Sequence, residues 1–222
     1  HKMQVEDLNK SVANFDWSAF FDAAGAKGFS ELNVSQVKPI ATAVKMIQTL
    51  PIEDNKAYLS WCVVRAAAPY LSDNFVNANF DFYGKQMSGR QVLQPRWKRT
   101  VNTVDGALSE AVGQLYVAKY FPAEAKERML KLVGNLQETL GERINNLSWM
   151  SDVTKEKAQD KLNSFVVKIG YPDKWKDYST LEIKNDSYWE NIVRASLFEN
   201  KEMLDKIGKP VDKTEWHMPP QM

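Results

Sequence analysis

Residues 95–120, PRWKRTVNTVDGALSEAVGQLYVAKY, decide the fold class. Trp97, Val101, Val104, Leu108, Ala111, Leu115 and Ala118 recur there at alternating steps of four and three, which places them on one stripe of an α-helix. At about 1.5 Å per residue the run predicts one helix of roughly seven turns, with Val101, Leu108 and Leu115 buried along it. Gly106 and Gly113 stand one heptad apart and each lowers helix propensity, so the spacing predicts close approach of a neighbour there. Pro122 suits the first turn of a second helix, whose stripe is Met129, Leu132, Leu136, Leu140 and Ile144. A connection this short predicts antiparallel packing.

The same reading extends outward. Helices are predicted over 11–24, 39–49, 53–83 with a break near Pro69, 152–168 and 187–206. Ser151 or Asp152 is placed to cap the 152–168 helix, and Asn185, Asp186 or Ser187 the 187–206 helix. Extended structure is predicted only at Leu32 to Val34 and after Val211. The expected class is all-α, a multi-helix domain with long antiparallel helices and little or no sheet.

Composition bounds the function. Hydrophobic residues at 44% and charged residues at 26% describe an ordinary folded protein. With Lys+Arg 29 against Asp+Glu 28, the chain has no field of one sign to draw a polyanion, so nucleic acid is excluded as an expected partner. No run reaches the about 18 apolar residues of a membrane span. The single Cys62 excludes an internal disulfide or a thiolate metal cluster, and its setting in Trp61-Cys62-Val63-Val64 predicts a buried, inert thiol. The first residue is not methionine, and both ends read as cuts in a longer polypeptide.

Candidate chemistry is sparse. The two histidines are His1, at the terminus, and His217, followed by Met218 and two prolines, which prevents a helical partner at metal-ligand spacing. His-Glu-x-x-His is absent. Glu156 to Asp160 and Glu182 to Asp186 match a third-ligand spacing of some zinc peptidases, but without histidines they read as solvated carboxylates. Arg96, Lys98 and Arg99 around Trp97 read as a basic first helical turn with the tryptophan buried. From the residues alone the expectation is no catalytic and no metal-binding residue in this chain, and substrate-binding residues stay unassigned.

The order of motifs carries the reading further. Pro95-Arg96-Trp97-Lys98 is followed by Ala111-Val112-Gly113-Gln114-Leu115-Tyr116-Val117, then Phe121 with Lys126, then Trp149-Met150 with Thr154. Lys168-Ile169-Gly170-Tyr171-Pro172, Asp177-Tyr178, Val211-Asp212-Lys213 and Glu215-Trp216 come next. This succession resembles the amino-terminal helical domain of the neprilysin and endothelin-converting-enzyme family of zinc metallopeptidases, weakly from Phe15 and densely from Pro95.

The resemblance implies a parent enzyme of two lobes around a closed chamber. One lobe binds zinc through His-Glu-x-x-His and a distant glutamate and hydrolyses oligopeptides; this segment resembles the other, enclosing lobe. Zinc is thus expected in the parent enzyme, outside this segment, and no catalytic or zinc-binding role carries over onto any residue here. Residues 1–210 are expected to form the cap domain, truncated at its start, and 211–222 an extended linker towards the missing catalytic domain. That tail, with Trp216, Met218 and Met222, is expected to be mobile or to pack on another copy, so self-association through the truncated face is a further expectation. Animal members place a cysteine where Thr100 stands, which favours a bacterial parent, extracytoplasmic as a periplasmic, lipid-anchored or secreted enzyme. Peptide substrates and the catalytic domain are the implied partners. The competing reading is a stand-alone helical protein-interaction domain without enzymatic role.

Overall fold

A computed structural model describes residues 2–222; the reading of His1 lies outside them. Ten α-helices and one two-stranded sheet make up the regular structure among the described residues. The chain separates into two compact units: residues 1–99 with 180–210, and residues 100–179 with 211–222.

The first unit opens with β1 (Lys2–Gln4), which pairs antiparallel with β2 (Glu31–Asn33), Met3 opposite Leu32. The extended reading at Leu32 thus holds, whereas its partner strand carried no alternation long enough to be seen. Of the predicted 11–24 helix only α2 (Trp17–Ala24) forms; it is preceded by α1 (Val5–Ser11), which the sequence reading did not place. Asn14 lies between them at φ +65°, a left-handed conformation that ends a helix. Asp16 then caps α2, its Oδ1 accepting from the Ala19 N–H at 2.8 Å. Leu8, Val12, Trp17, Val34 and Val44 form the buried core of this unit, and the Trp17 indole N–H donates to the Val12 carbonyl at 3.3 Å.

Helix α3 (Val37–Thr49) contributes Val44 to that core, and α4 (Ile52–Ala67) follows. The predicted break near Pro69 is a 3-10 turn, Ala68–Tyr70. After α5 (Asp73–Asn79) the chain widens into a π-helical turn, Phe80–Gln86. Gly84 is required there, since a Cβ would lie 2.3 Å from the Phe80 ring. The unit is completed by α10 (Tyr188–Leu204), capped by the Ser187 hydroxyl, which accepts from the Glu190 N–H. Tyr188 and Trp189 pack on Tyr70 with ring centroids 5.4 and 5.9 Å away.

The stretch that decided the class is helical but not one helix. It forms α6 (Arg96–Ala107) and α7 (Ser109–Tyr120), broken at Leu108 with φ −131° and ψ 42°. The hydrogen-bond ladder is interrupted there: Leu108 N–H donates to Val104 and Leu108 C=O accepts from Val112, but no helical bond spans Leu108, and the Glu110 N–H turns to the Tyr178 hydroxyl at 3.4 Å. An interruption of one residue leaves the apolar periodicity in step on either side, so the pattern could not reveal it. The expectation that the stripe is buried is overturned at most of its positions: Val101 is 56% and Leu115 75% exposed, Trp97 and Val104 are exposed as well, and Leu108 and Ala111 are half-buried. Periodicity marks the face that a fold will cover, and these residues do not meet their cover within this chain.

In the second unit α8 (Ala123–Asn145) packs chiefly on α9 (Asp152–Asn163). Ser151 caps α9 through Thr154 N–H, as read from the sequence, but the helix ends at Asn163 rather than near Lys168. Ser164 closes it by donating to the Lys161 carbonyl at 2.7 Å.

Candidate functional site

Two of the motifs that stood in order along the sequence, Phe121 with Lys126 and Gly170-Tyr171, meet around one lysine in the second unit. Lys126, on the second turn of α8, has a side chain only 14% exposed. Its ammonium donates to the Tyr171 carbonyl at 2.8 Å and to Asp173 Oδ1 at 2.7 Å, and lies 4.2 Å from the Tyr171 ring centroid. Tyr171 meets Phe121 edge-on at 6.0 Å and stacks on Trp175 at 5.9 Å. Gly170 makes this possible. Its φ is +74°, and a Cβ there would lie 2.5 Å from the Phe121 ring. The loop is carried onto α7 by Glu110, whose carboxylate accepts from the Lys176 N–H at 2.6 Å.

The tail docks on the same unit. The Gln221 side-chain amide donates to Asp105 Oδ1 on α6 at 2.5 Å and to the Ser109 carbonyl on α7 at 2.9 Å, so it spans the break at Leu108. Lys168 donates to the Glu215 carbonyl. Gly113 is where Pro220 seats, since a Cβ would come within 2.9 Å of Pro220 Cδ. The close approach predicted at Gly113 is therefore present, made by the tail rather than a helix. Gly106 has no neighbour within 4 Å, which corrects the reading there. The tail's own expectation is corrected in part: Pro220 and Gln221 find partners inside the chain and Trp216 is half-buried, while Met218 and Met222 stay exposed.

The remaining candidates stay apart. Among the described residues no three of His, Cys, Asp and Glu come together as a metal site, and His217 is exposed in the tail. Glu156 and Asp160 lie on the exposed face of α9. Glu182 and Asp186 fall in a non-helical segment, where Glu182 pairs with Lys184 at 3.0 Å and Asp186 with Arg194 at 2.5 Å. The Arg194 guanidinium and the Ser187 N–H hold the Asp186 carboxyl well below the usual carboxylate range. Trp97 is exposed beneath Lys98 rather than buried, and Cys62 is half-buried rather than enclosed. The Cys62 thiol raises the Tyr58 hydroxyl above its ordinary pKa.

Sequence reasoning missed one concavity, an open cleft of about 460 Å³ between α8 and α9, lined by Gln137, Glu138, Glu142, Asn145, Gln159 and Phe165. Gln159 closes its floor by donating to the Gly141 carbonyl at 2.7 Å and to Asn145 Oδ1 at 2.9 Å. The lining offers amides and carboxylates but no nucleophile beside a base, so no covalent chemistry is supported there.

Comparison with known proteins gives this scaffold its relatives. The model of Peptidase family M13 matches residues 1–172. The neutral endopeptidase of Lactobacillus helveticus is 33% identical over 208 residues, covering 93% of this chain and 32% of its own length. Endothelin-converting enzyme-like 1 of Mus musculus is 29% identical over 233 residues, covering 100% and 30%. Among solved structures, the Mycobacterium tuberculosis zinc metalloprotease Zmp1 in its open state superposes with a TM-score of 0.93 at 38% identity, over 100% of this chain and 35% of that one. Its inhibitor complex superposes at 0.86. The chain thus spans about a third of the length of these relatives. With a family model over more than half of its residues and a third of its positions identical to a family relative, the chain belongs to peptidase family M13.

Proposed function

We propose that this chain is the substrate-enclosing, non-catalytic helical portion of a zinc-dependent metalloendopeptidase that hydrolyses oligopeptides. The observation that carries the reading is the full-length superposition, at 38% identity, on a third of a zinc metalloprotease. Zinc, when the parent binds it, is expected from the family resemblance to be held by residues elsewhere. What these residues supply is shape: helices and a pinned loop that help to form a wall, admitting flexible peptides and limiting access of folded proteins and competing water. Residues 1–210 are assigned to the cap and 211–222 to the passage towards the catalytic domain, and an extracytoplasmic setting follows from the family resemblance.

The apolar residues exposed on α4 and, separately, on α7 support the reading of a part that further polypeptide covers. The parent gene tests it. The reading frame after Met222 is expected to encode Asn-Ala within about a dozen residues and His-Glu-x-x-His further on. A stop codon at that point contradicts the proposal.

A further inference from the structure

The cleft between α8 and α9 has one polar wall and one wall of bare backbone. On the polar side Glu138 and Glu142 stand one turn apart on α8, and no lysine, arginine or histidine lines the cleft. Neither carboxylate enters an ion pair with a described residue. Gln159 directs its Nε2 to the Gly141 carbonyl and to Asn145 Oδ1. Its own Oε1 and the Asn145 Nδ2 are left without a partner among the described residues, one acceptor and one donor, the complement of a peptide group.

The other rim follows from how α9 ends. Residues 165–169 run on without helix or turn, and Phe165 and Val167 line the cleft while Val166 between them does not. That alternation marks an extended chain. The N–H and C=O groups of Val166, Val167 and Lys168 bond to nothing among the described residues, and Phe165 and Val166 are exposed. Proteins pair such an edge or blunt it with charge, proline or a bulge; here Phe165, Val166 and Val167 stand in a row with their backbone open.

We propose that this cleft binds a peptide in extended conformation, which adds as a strand to residues 165–168 and sets a lysine or arginine side chain against Glu138 and Glu142. Backbone pairing supplies the affinity, and the two carboxylates select for positive charge. The volume of about 460 Å³ is that of a ligand site. A permanent cover fits less well, because water satisfies the carboxylates and amides while the cleft stands empty, whereas the core of a lasting interface is depleted in charge. Binding here needs no metal and no nucleophile, so the site stands apart from the peptidase reading.

Hydrogen exchange of the intact protein, kept in chelator so that no metal-dependent cleavage intervenes, tests this with two probes. One is an acetylated hexapeptide of alternating valine and arginine; the other has glutamate in place of arginine. At saturation the arginine peptide is expected to slow exchange of the Val166, Val167 and Lys168 amides about tenfold, and the glutamate peptide to leave them unchanged. Glu138→Gln combined with Glu142→Gln is expected to weaken the arginine peptide about three- to tenfold, read by fluorescence anisotropy of a labelled copy. Both side chains are exposed, so this variant keeps its fold. Exchange that the arginine peptide does not alter overturns the proposal, as does equal protection by both peptides or unchanged affinity in the double variant. Amides already protected without peptide assign the edge to the protein's own polypeptide, or to a second copy where dilution restores exchange, and either result overturns it too.

Discussion

Lys126 and Tyr171 are joined twice, through a hydrogen bond from the ammonium to the Tyr171 carbonyl at 2.8 Å and through the tyrosine ring 4.2 Å below the same charge. The ammonium is nearly enclosed, while the carboxylate it also binds, Asp173, is open to water. The carbonyl and ring therefore contribute more than the ion pair, which solvent screens. Replacing Lys126 by Ala is expected to destabilise the second unit by about 2–3 kcal/mol, and Asp173→Ala by less than about 1 kcal/mol. Urea midpoints of the two variants check the order. Equal losses would mean that the ion pair dominates.

Glycines separate what the helix wants from what the fold allows. Gly106 meets no atom within 4 Å, so Gly106→Ala is expected to stabilise by about 0.5–1 kcal/mol through helix propensity. Gly113→Ala gains the same propensity but drives a methyl into Pro220, and is expected to release the tail to proteases. Gly170→Ala combines a left-handed backbone with a 2.5 Å approach to Phe121, and a loss of about 2 kcal/mol or more is expected. Thermal melts and limited proteolysis of the three variants read all of this.

Gln221 ties the tail across the α6–α7 break, which changes the expectation for the tail from mobile to structural. Gln221→Ala is expected to cost about 1–2 kcal/mol, since it removes one bond to a carboxylate and one to a carbonyl. Removing residues 215–222 is expected to lower the melting temperature by more than that variant does. An unchanged melting temperature after the deletion would return the tail to a free linker.

Asp186 contributes a pH dependence of known sign. Its folded pKa is depressed, first by the Arg194 guanidinium and then by the Ser187 N–H. Its stabilisation is therefore present above the unfolded value of about 4 and fades as pH falls towards the folded one. Asp186→Asn is expected to flatten the loss of stability below about pH 4, while lowering stability at neutral pH. Denaturation midpoints across the acid range decide it; parallel curves for both proteins would remove Asp186 from the acid response.

Much of the fold was legible from local chemistry. Ser151 and Ser187 cap as read, Pro69 marks a real interruption, and the apolar periods give α8 and α10. The misreadings share a cause. Nothing in a repeat of fours and threes distinguishes α6 and α7 from one helix, because the interruption at Leu108 keeps the apolar period in step on both sides. The left-handed Asn14 that separates α1 from α2 is set by the core packing of Val12 and Trp17, a tertiary cause. At the site, Tyr171 and Lys126 were visible only as members of ordered motifs, and their meeting depends on the chain folding back over a separation of 45 positions. The cleft at Gln159 has no sequence signature at all, since amides on two helices mark nothing until those helices pack.

On the function proposed above, these helices serve a zinc peptidase whose catalytic residues lie elsewhere in the same protein. The most direct measurement is hydrolysis of an internally quenched oligopeptide by the intact protein and by residues 1–222 alone, each with and without a chelator and with zinc restored. The account predicts cleavage by the intact protein that the chelator abolishes and zinc restores, and none by the segment. Chelator-sensitive cleavage by residues 1–222 alone, or an intact protein with no metal-dependent cleavage, would contradict it.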